Sequence, residues 1–318
     1  MVTDQRGRSK RRIARVLVIF IVALVALGFA FFVLSPKLPR GRAGIVLQGD
    51  PTIVVSWESD RARFAVFLLP SSLQIEAVNG YGWYSLDALW KLDAMDRHKG
   101  GLYRTSLEES FATPIRWHGA LPSTATSFSD DMVIVVLKHT FSLSNIIRMV
   151  VTGNTNIRLG EMLYVWKKFQ LVGSDTATVF DFRNNQITYD EQMPDQTLAI
   201  RFDKERYDAI IGNNLEDTPL RQEGIRIALY NTTGTPGIGQ RVARLIEHTG
   251  GFVVSVGNDD VPYEGVCEVS AMKPFLTSYT ADFLRSMYGC TLVERQEVAR
   301  ADLVVRLGKG IERRYLPK

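Results

Sequence analysis

The chain has 318 residues, 46% hydrophobic and 23% charged, with 38 Lys and Arg against 34 Asp and Glu. That length suits about two domains. The plentiful apolar residues and the mere two Cys exclude a disordered chain, a collagenous repeat and a disulfide-dense miniprotein. The net charge of +4 is concentrated at one end: residues 1–15 hold six basic side chains against Asp4, whereas residues 16–224 hold 20 basic and 23 acidic ones. The basicity belongs to a tail, so no nucleic-acid partner is expected.

Residues 1–12 read as a cytoplasmic basic tail and residues 13–34 as a transmembrane helix, with membrane lipid as its partner. The run VLVIFIVALVALGFAFFVL (16–34) is uninterrupted, and about 20 such residues at 1.5 Å rise span a ~30 Å hydrocarbon core. It exceeds a signal-peptide core and ends FFVLSP without a small-x-small site, so it is expected to remain as an anchor. Six basic residues before it, against Lys37, Arg40 and Arg42 after it, place the N-terminus in the cytoplasm and the rest of the single-pass chain outside. Residues 35–44 read as a Pro-rich, basic linker.

Residues 45–212 mix strands and helices as an α/β domain does. Strands are expected at 52–57 and 63–69, a weaker one at 73–78, and a turn at NGYG (79–82). Helices are expected at 84–95 and 105–111, the second with Ser106 as its cap and Glu108 and Glu109 in its first turn. The apolar run 132–137 reads as a strand covered on both faces. Helices at 143–151 and 158–171 and strands at 176–181 and 197–202 follow. A short helix from 207 then gives way to a polar linker at 213–223.

In residues 224–310 the pattern changes. A strand (225–231), a Gly- and Pro-containing turn (232–237), a helix (238–248) and a strand (252–256) come first. A strand (266–271), a helix opened by Pro274, and strands at 291–294 and 302–307 complete the set. The order βαβ–βαββ predicts a small two-layer sandwich, with a tail at 311–318. The fold class is thus a single N-terminal transmembrane helix followed by two α/β domains.

Cys267 and Cys290 both lie within this region, next to expected strands. Outside the cytoplasm they are either a bridge, contributing about 3 kcal/mol through its ~24-residue loop, or two separate core thiols. Trp83, Tyr84, Trp90 and Trp117 form an aromatic-rich set. Packing into a core is the common role of such side chains, and a platform stacking on sugar rings is the functional alternative. The four His lack metal-ligand spacing, and His98 and His118 read as surface imidazoles. Asn231-Thr232-Thr233 fits both a turn and an N-glycosylation acceptor. No cofactor, metal or catalytic constellation is specified.

The segments IRIALYNTTGTPG (225–237), FVVSVGN (252–258) and ADLVVRLG (301–308), with the helix between them, resemble in their order the C-terminal domain of LytR-type cell-envelope proteins. Residues 45–200 are similar in layout to a LytR-CpsA-Psr domain, through PTIVVS (51–56), FLLPSSL (67–73), NGYGWYSLDAL (79–89) and SLEESFATPI (106–115). The resemblance implies transfer of a glycopolymer from a polyprenyl pyrophosphate to peptidoglycan. That chemistry needs guanidinium groups for pyrophosphate and carboxylates for Mg²⁺. Here Ser71 and Ser72 stand where the family has Arg and Asp, and Pro51 stands where it has a strand-leading Asp. The domain is therefore expected to be degenerate, and the protein to bind or scaffold cell-wall glycopolymer or peptidoglycan without catalysis. An active phosphotransferase with relocated residues, or a protein–protein scaffold of an envelope complex, are the alternatives.

Overall fold

A computed structural model describes residues 20, 41–121, 130–184, 186–194, 196–296, 300–312 and 314. The basic tail and, apart from Phe20, the apolar run lie outside these residues. Among the described residues no single helix is long and apolar enough to cross a membrane.

The molecule is built of two α/β domains with mixed sheets. In the first, β1 (Arg42–Gln48), β2 (Thr52–Glu58) and β3 (Phe64–Leu69) form an antiparallel meander. β6 (Trp117–Ala120) and β7 (Ala177–Asp181) flank it in parallel, giving the order β6-β1-β2-β3-β7. The start of β1 takes up the end of the expected 35–44 linker. The three central strands are buried along nearly their whole length. Alternate residues serve opposite faces: Ile45, Val55, Trp57, Val66 and Leu68 join one core, and Val46, Val54, Phe67 and Leu69 the other. A sheet covered on both sides needs such continuous apolar strands.

One face is covered by α3 (Asp130–Thr140), α4 (Leu143–Thr152) and α5 (Met162–Gln170). The expected strand at 132–137 is thus a helix: Val133, Leu137 and Thr140 are buried at a helical spacing while Met132 and Val135 face out. The other face carries α1 (Leu86–Met95), α2 (Gly101–Phe111) and a second sheet, with β4 (Gln74–Ala77) and β5 (Gly82–Ser85) paired antiparallel and β8 (Thr188–Gln192) and β9 (Leu198–Phe202) beyond them. Ser106 does not cap a helix. It lies inside α2, where its hydroxyl donates to Leu102 O and accepts from Val78 N.

The expected polar linker at 213–223 is ordered and packed. After α6 (Lys204–Ile211) come a 3₁₀ turn (Gly212–Leu215) and α7 (Thr218–Glu223), with Leu215 and Leu220 buried. The C-terminal sheet has the order β11-β10-β14-β12-β13, from β10 (Arg226–Asn231), β11 (Phe252–Asn258), β12 (Cys267–Ala271), β13 (Thr291–Glu294) and β14 (Leu303–Leu307). α8 (Ile238–His248) buries Val242, Leu245 and Ile246. The helix opened by Pro274 is divided into α9 (Lys273–Leu276) and α10 (Tyr279–Tyr288), where Ser278 caps α10 by accepting from Ala281 N. One hydrophobic cluster runs from Phe67 and Phe111 through Tyr207 and Leu220 to Ile227, Val242 and Phe283, so the two domains share a core.

Arg244 of α8 ties them. Its guanidinium donates to both carboxylate oxygens of Asp208, at 2.9 and 2.6 Å, and to the carbonyls of Glu109 and Ser110, at 2.9 and 3.1 Å. Cys267 and Cys290 are bridged, with Cα atoms 4.5 Å apart, joining β12 to the residue that precedes β13.

Arg244→Ala is expected to cost about 2 kcal/mol, as loss of hydrogen bonds to a charged group does. A urea-melt cycle with Asp208→Asn should show strong coupling, and additivity would sever the pair. Burial opposes ionisation of Asp208, but hydrogen bonds from His248 and Arg244 outweigh it and hold the carboxyl at about 2. Its contribution is therefore complete above the ordinary carboxylate range and is lost as pH falls from about 4 through about 2. For the bridge, thiol labelling of unfolded protein should find both thiols only after reduction, and reduction should lower stability by about 3 kcal/mol.

Candidate functional site

A concavity of about 880 Å³ lies where α10 faces the end of the first sheet. Parallel pairing of β1 with β6 puts Arg42 and Arg116 at the same end, since Arg116 N donates to Gly44 O at 2.9 Å. α2 contributes Arg104 and Glu108, α10 contributes Asp282 and Arg285, and Arg314 closes the rim. Five arginines and two carboxylates thus line one cleft.

Each arginine is held. Arg42 is 2% exposed and donates to Ser56 Oγ at 3.3 Å and Asn214 O at 3.1 Å. Its burial lowers the guanidinium to about 10, with Glu58 opposing. Arg104 donates to Ile115 O at 2.6 Å and lies 3.6 Å from Glu108. Glu108 is 2% exposed and also pairs with Arg314 and accepts from Ile115 N. Arg116 pairs with Glu161 at 2.9 Å and sits 5.3 Å above the Trp117 ring. Arg285 pairs with Asp282 but is the most exposed, at 57%. Positioned guanidinium forks recognise phosphate and carboxylate groups, so the cleft is suited to an anion.

The sequence-predicted aromatic set does not form one surface. Trp117 is 1% exposed, stacked on Trp57 with centroids 5.6 Å apart, and donates to Glu161 at 2.9 Å, so it is a core residue and no sugar platform. Trp90 packs against Tyr103 and His118 on the other side of the sheet. Tyr84 is half-buried against that core, and Trp83 lies under Arg201 at 4.6 Å. Glu108 and Glu109 are not a solvated helix start: they occupy the last turns of α2, and Glu109 pairs with Arg241 of the other domain. The four-residue spacing of Arg104 and Glu108 and the three-residue spacing of Asp282 and Arg285 are local signals of parts of the cleft, but the segments that carry them are far apart in sequence.

Ser71 and Ser72 lie at the opposite end of the sheet, after β3, where Ser71 O accepts from Asp87 N at 3.2 Å. Two serine hydroxyls do not make a carboxylate-held Mg²⁺ site, and Asp181, opposite Leu68 at this end of the sheet, is paired with Arg183. Arg63 is at the cleft end, paired with Glu58 at 3.3 Å. Among the described residues no three His, Cys, Asp or Glu side chains form a metal-holding group. Asn231 is 7% exposed and its amide closes the β10–α8 turn, donating to Thr235 O and accepting from Thr233, so it is no glycosylation acceptor in this fold.

Residues 224–310 match the family model described as the LytR cell envelope-related transcriptional attenuator. The C-terminal domain is of the LytR type. No curated protein matches the chain. Solved structures similar to it include the Bacillus subtilis transcriptional regulator YvhJ, at 11% identity over 54% of this chain and 95% of that chain, with a TM-score of 0.39. B. subtilis TagV matches at 11% identity over 55% and 95%, with a TM-score of 0.38. The LytR-CPS2A-psr family protein YwtF (TagT), with bound octaprenyl pyrophosphate lipid, matches at 11% identity over 54% and 87%, with a TM-score of 0.35. The LytR-type domain supplies the α10 wall of the cleft, and the preceding domain supplies the rest.

His118 of β6 packs on Trp90 and is buried, contrary to its surface reading. It is 6% exposed, its ring would overlap any Cβ at Gly100, and burial lowers it to about 4. Gly100 adopts φ +78° beside it, its amide held by Asp93. The neutral ring suits the fold, so stability is lost as pH falls from about 6.5 toward about 4. NMR should show the His118 ring titrating near pH 4, and a midpoint near 6.5 would show the ring to be hydrated.

Proposed function

We propose that the chain is a single-pass cell-envelope protein, anchored by residues 13–34 with its N-terminus in the cytoplasm, that binds an anionic cell-wall glycopolymer or peptidoglycan without transferring it. The observation that carries this reading is the arginine-lined cleft closed by a LytR-type domain: it offers guanidinium groups for anionic polymer units. Ser71 and Ser72 support the non-catalytic part, since neither supplies a guanidinium or a metal-binding carboxylate. Arg61 and Arg63 do not replace them, because the chain places these residues at the far end of β3.

The test is cosedimentation of the full chain in detergent with purified cell-wall material. The expected result is pelleting above a control protein, weakened by salt. Arg285→Glu, at an exposed position, should weaken binding about tenfold, the effect of one charge-assisted hydrogen bond. No pelleting above control overturns the binding role and favours a protein scaffold. Covalent attachment of polymer to peptidoglycan after incubation with a polyprenyl-pyrophosphate-linked donor overturns the non-catalytic part.

A further inference from the structure

The helix layer on the outer face of the first sheet is unusual in what it exposes. On α4, Leu143, Ile147 and Val151 are 38%, 45% and 79% exposed, and their four-residue spacing makes one stripe, turned away from buried Ile146 and Met149. Met132 and Val135 of α3 and Leu163 of α5 are exposed by 50%, 65% and 61%. α3 and α4, which meet at 60°, are jointly as apolar as a membrane span although neither is long enough to be one.

The charge in this layer is predominantly basic. Residues 130–171 contain Lys138, Arg148, Arg158, Lys167 and Lys168 against Asp130, Asp131 and Glu161. Glu161 is buried against Arg116 and Trp117. Exposed apolar stripes bordered mainly by basic groups are the composition of helices that lie in the headgroup region of an anionic bilayer.

The first described residue of the domain, Gly41, is one hydrogen-bonded residue away from this layer. Gly41 O accepts from Ser59 N at 3.1 Å, Ser59 O accepts from Lys168 Nζ, and Tyr164 reaches Ser59 Oγ at 3.5 Å. Gly41 is thus linked to α5 through Ser59, while a Cβ at Gly41 would meet Tyr279 and Phe283 of α10. Only residues 35–40 separate it from the end of the apolar run, a reach of at most about 25 Å.

We propose that the exposed face of α3, α4 and α5 seats on the outer leaflet of an anionic phospholipid bilayer and fixes the height of the cleft above it. This rests on the anchoring reading, and the experiment separates the two. The full chain is reconstituted into vesicles of phosphatidylglycerol and phosphatidylcholine, with an environment-sensitive fluorophore on Val151→Cys or, as a reference, on Val261→Cys, a position 71% exposed in the other domain. Because such faces sink about 5–10 Å into the boundary, lipid brominated near the headgroup should quench the Val151→Cys probe about threefold more than the reference. Each basic residue at an anionic surface strengthens partitioning about fivefold, so the excess should fall in pure phosphatidylcholine. Ile147→Glu should abolish it with the circular dichroism unchanged. Equal quenching at both positions in protein that floats with the vesicles overturns the seating and leaves the anchor standing. A blue-shifted but unquenched probe means that a second protein covers the face, which also overturns it. A chain that does not float with vesicles overturns both.

Discussion

The guanidinium of Arg244 holds the two domains as one body. α2 ends at Ala112 in a left-handed conformation, so its last carbonyls lack partners within the helix. Arg244 takes those of Glu109 and Ser110, and Tyr207 donates to that of Phe111 at 3.0 Å. A cation at the negative end of a helix is favourable in itself, and the bidentate grip on Asp208 adds direction. Three elements that are far apart in sequence are thereby fixed around one planar group, and the cleft walls inherit their spacing from it.

The cleft and the serine turn lie at opposite ends of the same sheet. Registers such as Arg42 opposite Glu58 and Thr52 opposite Leu69 leave no freedom in this. A slip by one residue would exchange the two cores that the sheet separates. The site chemistry has therefore been distributed by topology: the guanidinium-rich end faces the LytR-type domain, and the end carrying Ser71 and Ser72 faces away from it.

Much of the C-terminal domain was legible because its helix stripe and strand runs are local signals. Ile238, Val242 and Ile246 follow the helical period, and Gly289 ends α10 in a left-handed conformation. Residues 132–137 were misread because Val133, Ile134, Val135 and Val136 favour strands locally, while burial of Val133 and Leu137 against the sheet decides for helix. The packed path through Leu215 and Leu220 was hidden by the polar residues around them. The cleft was hardly legible at all: Arg42, Arg116, Arg285 and Arg314 become neighbours only through tertiary structure. Glu108 looked like surface charge because its partners, Arg314 and the amide of Ile115, are not adjacent in sequence.

The position of Gly41 has a mechanical meaning. It feeds straight into β1, which is bonded on one side to β2 from Arg42 to Leu47 and on the other to β6. A pull along the chain at that point loads both ladders in shear, so their bonds must break together and not one after another. A tether attached there resists tension far better than one attached to an edge strand that can be peeled away.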